Sequence, residues 1–483
     1  MLTRHPSIFI AGAWGDGTGD DALEATNPAT GEIIAVVARG TREDAERAIT
    51  AATAAGPAWA ARSPFDRAAA MVRIAEAIVD RREELARALT ADQGKPLVAE
   101  AYDEVDELVE YFRMAAADAT RLEGLMPPSV DPGKRILAYR VPRGVVGVIT
   151  PWNWPYTMPG EMLAPALAVG NTVVWNPASS TSYCATVLAT CIAEADLPPG
   201  VFNLVTGTGA VVGDAIAADP RTAAVAFIGS TEAGRTVAAR AAGKDVLLEM
   251  GGNGPLVILD DADIAAAVDA TLAAAFLNAG QSCTAGERIL VHEAIHDRYL
   301  ERLATAVRDE VQLGDPLDAA TTMGPLNNEG GASKMDAHVT DALERGARLV
   351  HGGRRAPQLG SPTFYEPTIL DGVAEDMLVA REETFGPIVP ITTVPDMEAA
   401  LDIVNASPYG LLAAIFTRDL ARGLRFAEAA RVGWVNINQS TNYWESHLPF
   451  GGRGGSQSGV GRVGGRHSLE RLTELKTVVL TLG

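Results

Sequence analysis

Val145-Val146-Gly147-Val148-Ile149, stopping at Pro151, reads as a buried β-strand: branched apolar residues closed by one that cannot donate to a sheet. Three similar runs follow. Asn171-Thr172-Val173-Val174-Trp175 ends at Pro177, Phe202-Asn203-Leu204-Val205 at Gly207, and Val225-Ala226-Phe227-Ile228 at Gly229. Helical stretches lie between them, around residues 159–168, 181–195 and 209–218. Repeated strand–helix units with unbroken apolar strands predict a parallel sheet covered by helices, and hence an α/β fold. Ligands of such sheets sit beyond the carboxyl ends of the strands. The four ends here carry Gly, Pro, Asn, Ser or Thr, as a cofactor crevice requires.

Outward from these strands the reading is scaffold. Thr41-Arg42-Glu43-Asp44 and Ser63-Pro64-Phe65-Asp66 are helix starts, and the second predicts a helix running toward Gly94 with Met71, Ile74 and Ile78 on one face. A second α/β unit spans about residues 250–433, with a helix capped within Asp260-Asp261-Ala262-Asp263 that leads to Cys283. Residues 451–465 are rich in glycine, and Leu475 to Leu482 reads as a single strand that needs a neighbour, with another subunit as one source. At 483 residues the chain exceeds one ordinary core and should divide into at least two domains. A net charge of −21 argues against nucleic acid or an anionic membrane as partner. No apolar stretch reaches the roughly 18 residues of a membrane span. Three cysteines, Cys184, Cys191 and Cys283, suit a reducing cytoplasm and not a disulfide scaffold. The seven histidines do not cluster; His292 and His296 share a helical spacing but lack the accompanying Glu of a zinc site, so no metal is expected.

Chemistry concentrates elsewhere. Cys283 lies in Gly280-Gln281-Ser282-Cys283-Thr284-Ala285-Gly286, Glu249 in Leu248-Glu249-Met250-Gly251-Gly252, and Asn153 in Pro151-Trp152-Asn153-Trp154-Pro155. A thiol nucleophile, a carboxylate base and an amide donor for an oxyanion are the parts needed to oxidise a carbonyl through a thioester.

With Gly170-Asn171-Thr172-Val173-Val174, Phe227-Ile228-Gly229-Ser230-Thr231, Glu383-Thr384-Phe385-Gly386-Pro387 and Pro449-Phe450-Gly451-Gly452, these motifs make seven in order. The chain resembles the aldehyde dehydrogenase superfamily over nearly its whole length. The resemblance implies a Rossmann-type dinucleotide-binding domain (residues 1–120 and 143–250), an α/β catalytic domain (251–450) and a small β oligomerisation element (121–142 and 466–483). It implies a homodimer or homotetramer acting on a small-molecule aldehyde. By resemblance, Cys283 attacks the aldehyde, Asn153 and the Cys283 N–H hold the alkoxide, and Glu249 activates water against the thioester. Presence of that base favours a free carboxylic acid as product over transfer to coenzyme A. The resemblance assigns cofactor contacts to Thr150, Trp152, Asn176, Ser179, Gly209, Gly213, Gly229, Ser230, Glu383 and Phe385. No intact Gly-x-Gly-x-x-Gly follows the first strand; Gly207-Thr208-Gly209 and Gly213 are differently spaced.

The sequence departs from the family pattern in four places. Asn176-Pro177-Ala178-Ser179 replaces Lys-Pro-x-Glu, whose Lys and Glu bind the adenine ribose. Losing the carboxylate favours tolerance of a 2′-phosphate, and losing the lysine removes the cation that would attract it, so NAD is expected, with NADP the alternative. Glu161-Met162 stands where many members have a bulky residue and Lys, which bears on the relay that tunes Cys283 and Glu249. Arg453 and two extra residues interrupt the usual tail, and Val463 replaces a common Glu. Trp154, Met158, Glu161, Leu277, Tyr443 and Trp444 are the expected substrate-pocket residues. Their aromatic rings suit an apolar or aromatic aldehyde, and an acid beside them suits an amino-aldehyde. Three other readings compete. A semialdehyde dehydrogenase of the same mechanism would need a cationic clamp that the sequence does not display. A binding protein that kept the fold would have lost Cys283, Asn153 or Glu249. A cysteine hydrolase would need a His partner.

Overall fold

The computed structural model describes residues 4–482. Val145–Thr150, Thr172–Pro177, Phe202–Leu204, Thr222–Ile228 and Asp245–Glu249 run parallel in the middle of an eight-stranded sheet. Across the sheet they lie in the order fifth, fourth, first, second, third. The order reverses between the first and fourth, so the ligand crevice opens past their carboxyl ends, at Pro151 and Gly229. Antiparallel strands close both edges: the hairpin Ile8–Ile10 with Ala13–Gly15 on one side, Gly459–Val460 on the other.

The second sheet has seven strands. Gly254–Ile258, Gly286–His292, Thr368–Asp371, Ile388–Val394, Leu412–Phe416 and Trp434–Ile437 are parallel, and Arg348–His351 is antiparallel at one edge. Glu249 ends the last parallel strand of the first sheet, and Gly254 opens the first strand of the second. Met250-Gly251-Gly252-Asn253 is therefore the junction of the two sheets. Cys283 stands in the turn just before Gly286–His292, at the same junction.

Local chemistry sets the helices packed on and around the first sheet. Thr41 and Asp44 form a reciprocal capping box at the start of Arg42–Ala60. The helix expected from Ser63 to Gly94 is two: Pro64–Asp80 and Arg82–Gln93. Between them Arg81 leaves helical geometry (φ −108°, ψ 17°), and its guanidinium bridges Glu84 and Glu194. Gly94 ends the pair at φ +102°, a conformation that glycine adopts without a Cβ penalty.

Thr473–Thr481 pairs antiparallel with Lys134–Pro142, from Thr473↔Pro142 to Thr481↔Lys134. The terminal strand thus has a neighbour within its own chain. Its sequence partner was hidden because Lys134–Pro142 carries charges and has no clean alternation. The ribbon leaves Tyr139, Leu475, Val479 and Leu480 exposed. Among the described residues, no helix is long and apolar enough to cross a membrane.

Candidate active site

A cavity of about 350 Å³ lies at the junction of the sheets. Its walls bring together Asn153, Glu249 and Cys283 with Trp152, Gly229, Ser230, Glu383 and Phe385. Residues far apart in sequence meet there because each sits at a strand end or in a segment that leads out of or into a strand.

The loop of Cys283 is set by an unusual backbone. Asn278, Ala279 and Gly280 follow one another at φ 52°, 52° and 73°. Left-handed geometry in two successive non-glycine residues costs of order 1–3 kcal/mol each and persists only when over-determined. Here Glu100 Oε1 accepts from Asn278 N–H, Gln93 Nε2 donates to Asn278 Oδ1, and Asn278 Nδ2 donates to the carbonyls of Asn153 and Gln281. Asn153 Nδ2 also donates to Gln281 O, at 3.0 Å. An amide carries two N–H groups, so one can anchor the loop while the other faces a substrate oxygen.

Glu249 is buried, with Oε1 unpartnered among the described residues. Burial pushes its carboxyl up to about 8, opposed by a hydrogen bond with the Cys283 thiol and reinforced by Glu383. Burial, then the charge of Glu249, raises the Cys283 thiol well above the usual thiol range. The resting pair is a thiol beside a carboxyl pushed up to about 8. The glycine-rich tail holds this carboxylate in place. Gly459 pairs with Glu249 and Val460 with Leu248, Met250 N–H donates to Ser458 O, and Ser458 Oγ donates to Gly251 O. A Cβ at Gly459 would fall 2.0 Å from Leu248 O, so only glycine fits.

The cofactor candidates divide into two groups. Gly229 and Ser230 lead into the helix Thr231–Arg240, where Ser230 Oγ accepts from Ala233 N–H. The free N–H groups of such a start suit a diphosphate. Trp152 and Phe385 meet edge to face at 5.6 Å, and Glu383 Oε1 accepts from Gly252 N–H at 2.8 Å. Phe385 sits at φ 59°, fixed by its N–H donating to Glu287 Oε1 while Thr384 N–H donates to Oε2. This half fits the nicotinamide end of a dinucleotide: a ring slot, an acid and a helix start share one cavity with Cys283. The other group is turned inward. Thr150 Oγ1 accepts from Trp175 Nε1; Asn176 Nδ2 donates to Val205 O and Gly207 O, and Ser179 Oγ to Gly207 O. Gly209 and Gly213 bound the turn that follows, and a Cβ on Gly213 would lie 3.2 Å from Asn176 Oδ1.

Of the six substrate-pocket candidates, Met158 lines the cavity, and Trp154, Glu161, Leu277, Tyr443 and Trp444 do not. Trp154 and Trp444 pack on the same apolar cluster as Cys283. One face of Trp154 already carries Lys95, whose Nζ lies 3.2 Å from the ring centroid and pairs with Glu104. Trp444 meets Phe450 edge to face, and the exposed Tyr443 hydroxyl donates to Glu445. Leu277 is half-buried at the kink before Asn278, and Glu161 is buried one turn beyond Met158.

A sequence model described as the aldehyde dehydrogenase family matches residues 14–478. The chain belongs to that family. It is 38% identical over 484 aligned residues to a 3-sulfolactaldehyde dehydrogenase of Pseudomonas putida, covering 99% of this chain and 98% of that protein. It is 38% identical over 483 to the NADP(+) succinate-semialdehyde dehydrogenase of Escherichia coli K12, covering 100% and 98%. A crystal structure of betaine aldehyde dehydrogenase from Staphylococcus aureus in complex with NAD+ superposes with a TM-score of 0.95 at 34% identity, covering 99% of this chain and 95% of that one. The fold is that of an aldehyde dehydrogenase, and the activity is oxidation of an aldehyde with NAD or NADP.

In this aldehyde dehydrogenase, several residues at the site escaped the sequence reading. Gln281, Asn328, Gly330, Gly331 and Lys334 line the cavity. Asn328 caps the helix Glu329–Glu344, and Lys334 Nζ donates to Glu383 O at 2.5 Å. Nothing in the sequence around Asn328-Glu329-Gly330-Gly331 links it to Cys283. Glu287 and Asn278 carry no motif at all, because they act on backbone brought in by the fold.

Proposed function

We propose that Cys283, Glu249 and Asn153 carry the reaction, with a neutral or cationic aldehyde as substrate and a free carboxylate as product. The observation that carries this is the single cavity holding a thiol, a buried carboxyl in contact with it and an anchored amide with one N–H to spare. Cys283 Sγ attacks the carbonyl carbon as its proton passes to Glu249. The alkoxide accepts from Asn153 Nδ2–H and from the Cys283 N–H, which makes no hydrogen bond among the described residues. A nicotinamide held beside Trp152, Phe385 and Glu383 would supply the hydride acceptor, and loss of hydride from the adduct leaves an acyl group on Cys283. Once Glu249 has lost the thiol proton to solvent, it draws a proton from water as the water oxygen attacks the thioester carbon; the C–S bond breaks, the acid leaves, and the Cys283 thiolate regains a proton.

Charge supports the substrate class. Glu249 and Glu383 line the cavity with Cys283, whereas its cation, Lys334, is bonded to Glu383 O on the cofactor side. A second anion would meet repulsion in a low-dielectric site. The names of the relatives support a second reading, a semialdehyde or other anionic aldehyde. Absorbance of the reduced nicotinamide across aliphatic, aromatic, amino and carboxylated aldehydes decides between them: kcat/KM highest for carboxylated substrates would overturn the first reading. The same panel run with both cofactors tests the preference for NAD, which rests on Asn176 and Ser179 being committed to Gly207.

Two mutational and pH results are expected. Asn153→Ala should lower kcat/KM by about 10²–10³-fold, the cost of one oxyanion donor, with cofactor affinity retained. Glu249 must be ionised to act as a base, and its carboxyl titrates at about 8. Below that pH the ionised fraction falls tenfold per unit, so kcat limited by thioester hydrolysis should climb with pH and level off above about 8. A flat profile from pH 6 to 9 would remove Glu249 as the titrating base.

The wider reading is of three units: residues 1–120 and 143–250 for the cofactor, 251–450 for catalysis, and 121–142 with 466–483 for assembly in a cytoplasmic homodimer or homotetramer. A lone two-stranded ribbon with exposed apolar residues is marginal in water, which supports a role for it in assembly.

A further inference from the structure

Asn153 stands in a loop without a sheet ladder. Trp152-Asn153-Trp154-Pro155-Tyr156 joins the strand Val145–Thr150 to the helix Thr157–Ala168. Buried backbone groups in such a stretch need partners from elsewhere. An oxyanion donor acts only when held at hydrogen-bond distance from the place where the alkoxide forms, and a misplacement of about 1 Å can cost about a hundred-fold in rate. The loop therefore has to be fixed from outside.

Its partners come from one distant segment. The helix Arg82–Gln93 ends at Gly94, and the chain turns through Lys95 and Pro96 into Leu97–Ala101 and the helix Tyr102–Ala119. Lys95 and Glu104 are each 1% exposed, and Lys95 Nζ pairs with Glu104 Oε2. The other carboxylate oxygen, Glu104 Oε1, accepts from Tyr156 N–H at 2.9 Å and from Thr157 N–H at 3.3 Å. Tyr156 opens the helix Thr157–Ala168 without capping it; its hydroxyl donates to Leu85 O instead. Glu104 thus caps a helix other than its own and places negative charge at that helix's positive end.

The same segment grips Asn153 on two further sides. Lys95 Nζ lies 3.2 Å from the ring centroid of Trp154, the next residue, where an indole face attracts a cation. Asn153 O accepts from Asn278 Nδ2 at 2.8 Å, and Asn278 is held by Gln93 and Glu100. Lys95, Glu100 and Glu104 therefore reach the Asn153 loop and the Cys283 loop from one stretch of chain. A buried ion pair contributes little net stability, and apolar residues of similar volume often serve as well. An apolar pair would leave the Tyr156 and Thr157 N–H groups without their acceptor.

We propose that the buried Lys95–Glu104 pair positions Asn153, holding its loop so that the side-chain amide stands where the alkoxide forms. Neither residue lines the cavity of Cys283, so both act through Asn153 and not on substrate. The inference rests on Asn153 being the oxyanion donor.

Removing one charge alone would strand the other in the interior, so the test replaces both. In the intact enzyme, Lys95→Met/Glu104→Leu should lower kcat/KM about ten- to a hundred-fold, with cofactor affinity kept. The deciding measurement adds Asn153→Ala. In the parent that change should cost about 10²–10³-fold. In the double variant, where the amide is already displaced, it should cost less than about tenfold, because the two effects share one route. A purely structural role would leave the cost of Asn153→Ala unchanged. Lys95→Met/Glu104→Gln keeps an acceptor for the two N–H groups and should lose less kcat/KM than its Leu counterpart. If the Leu pair does not fold, Glu104→Asp keeps the charge beside Lys95 but draws the acceptor back by one methylene, and the same reduced cost of Asn153→Ala is expected. Full cost of Asn153→Ala in whichever variant is read, parent-like kcat/KM, or a Gln pair no better than the Leu pair would overturn the proposal. Parent-like kcat/KM in Asn153→Ala alone would instead sink the oxyanion reading, and this inference with it.

Discussion

Replacement of Cys283 by alanine should abolish aldehyde oxidation, lowering turnover by at least about 10⁴-fold while cofactor still binds. No other thiol can take over. Cys184 and Cys191 are buried in helical packing, Cys184 Sγ donates to Ala88 O, and burial raises both thiols far from any reactive range. Removing the sulfur also relieves a local cost, since the thiol abuts the buried Glu249 carboxyl and lies in a loop that begins with two strained residues. The folded protein should therefore be no less stable than its parent. Reduced-nicotinamide absorbance, set beside a thermal scan and cofactor titration, separates loss of chemistry from loss of fold. Residual turnover above about 1% would mean that another group is the nucleophile.

The sequence displayed what is local and left hidden what is assembled. Four parallel strands were legible because each is an apolar run closed by Pro or Gly. Asp245–Glu249 was not read as a strand: it is five residues long, begins with Asp, and owes its place to pairing with Thr222–Ile228 and Gly459–Val460. Yet that strand carries Glu249 into the site. The break at Arg81 was invisible because no Pro or Gly marks it. At the site, Cys283, Glu249 and Asn153 were legible as motifs, and the cavity brings them together. Asn278 and Glu287, which hold the two strained loops, were not, since a buried Asn or Glu bonding to backbone has no spacing rule. Asn176 and Ser179 illustrate the converse. Their positions suggested ribose contacts, but a short side chain beside Gly207 satisfies that loop's carbonyls instead.

Glu249→Gln should separate the two halves of the reaction. Gln keeps the shape of the side chain and can accept a hydrogen bond from the Cys283 thiol, but it cannot take a proton from water. Steady-state turnover should drop by about 10²–10⁴-fold, the usual contribution of a general base. Hydride transfer comes before water attacks, so a burst of about one reduced nicotinamide per active site should precede the slow phase, with the acyl group held on Cys283. Mass spectrometry of quenched enzyme would find that acyl adduct in Glu249→Gln and little in the parent. The burst itself should slow at neutral pH, because the same carboxyl removes the thiol proton. That slowing should diminish at high pH, where the Cys283 thiol ionises unaided. Loss of the burst at every pH would place Glu249 in the first chemical step alone. Unchanged steady turnover would move the hydrolytic base elsewhere.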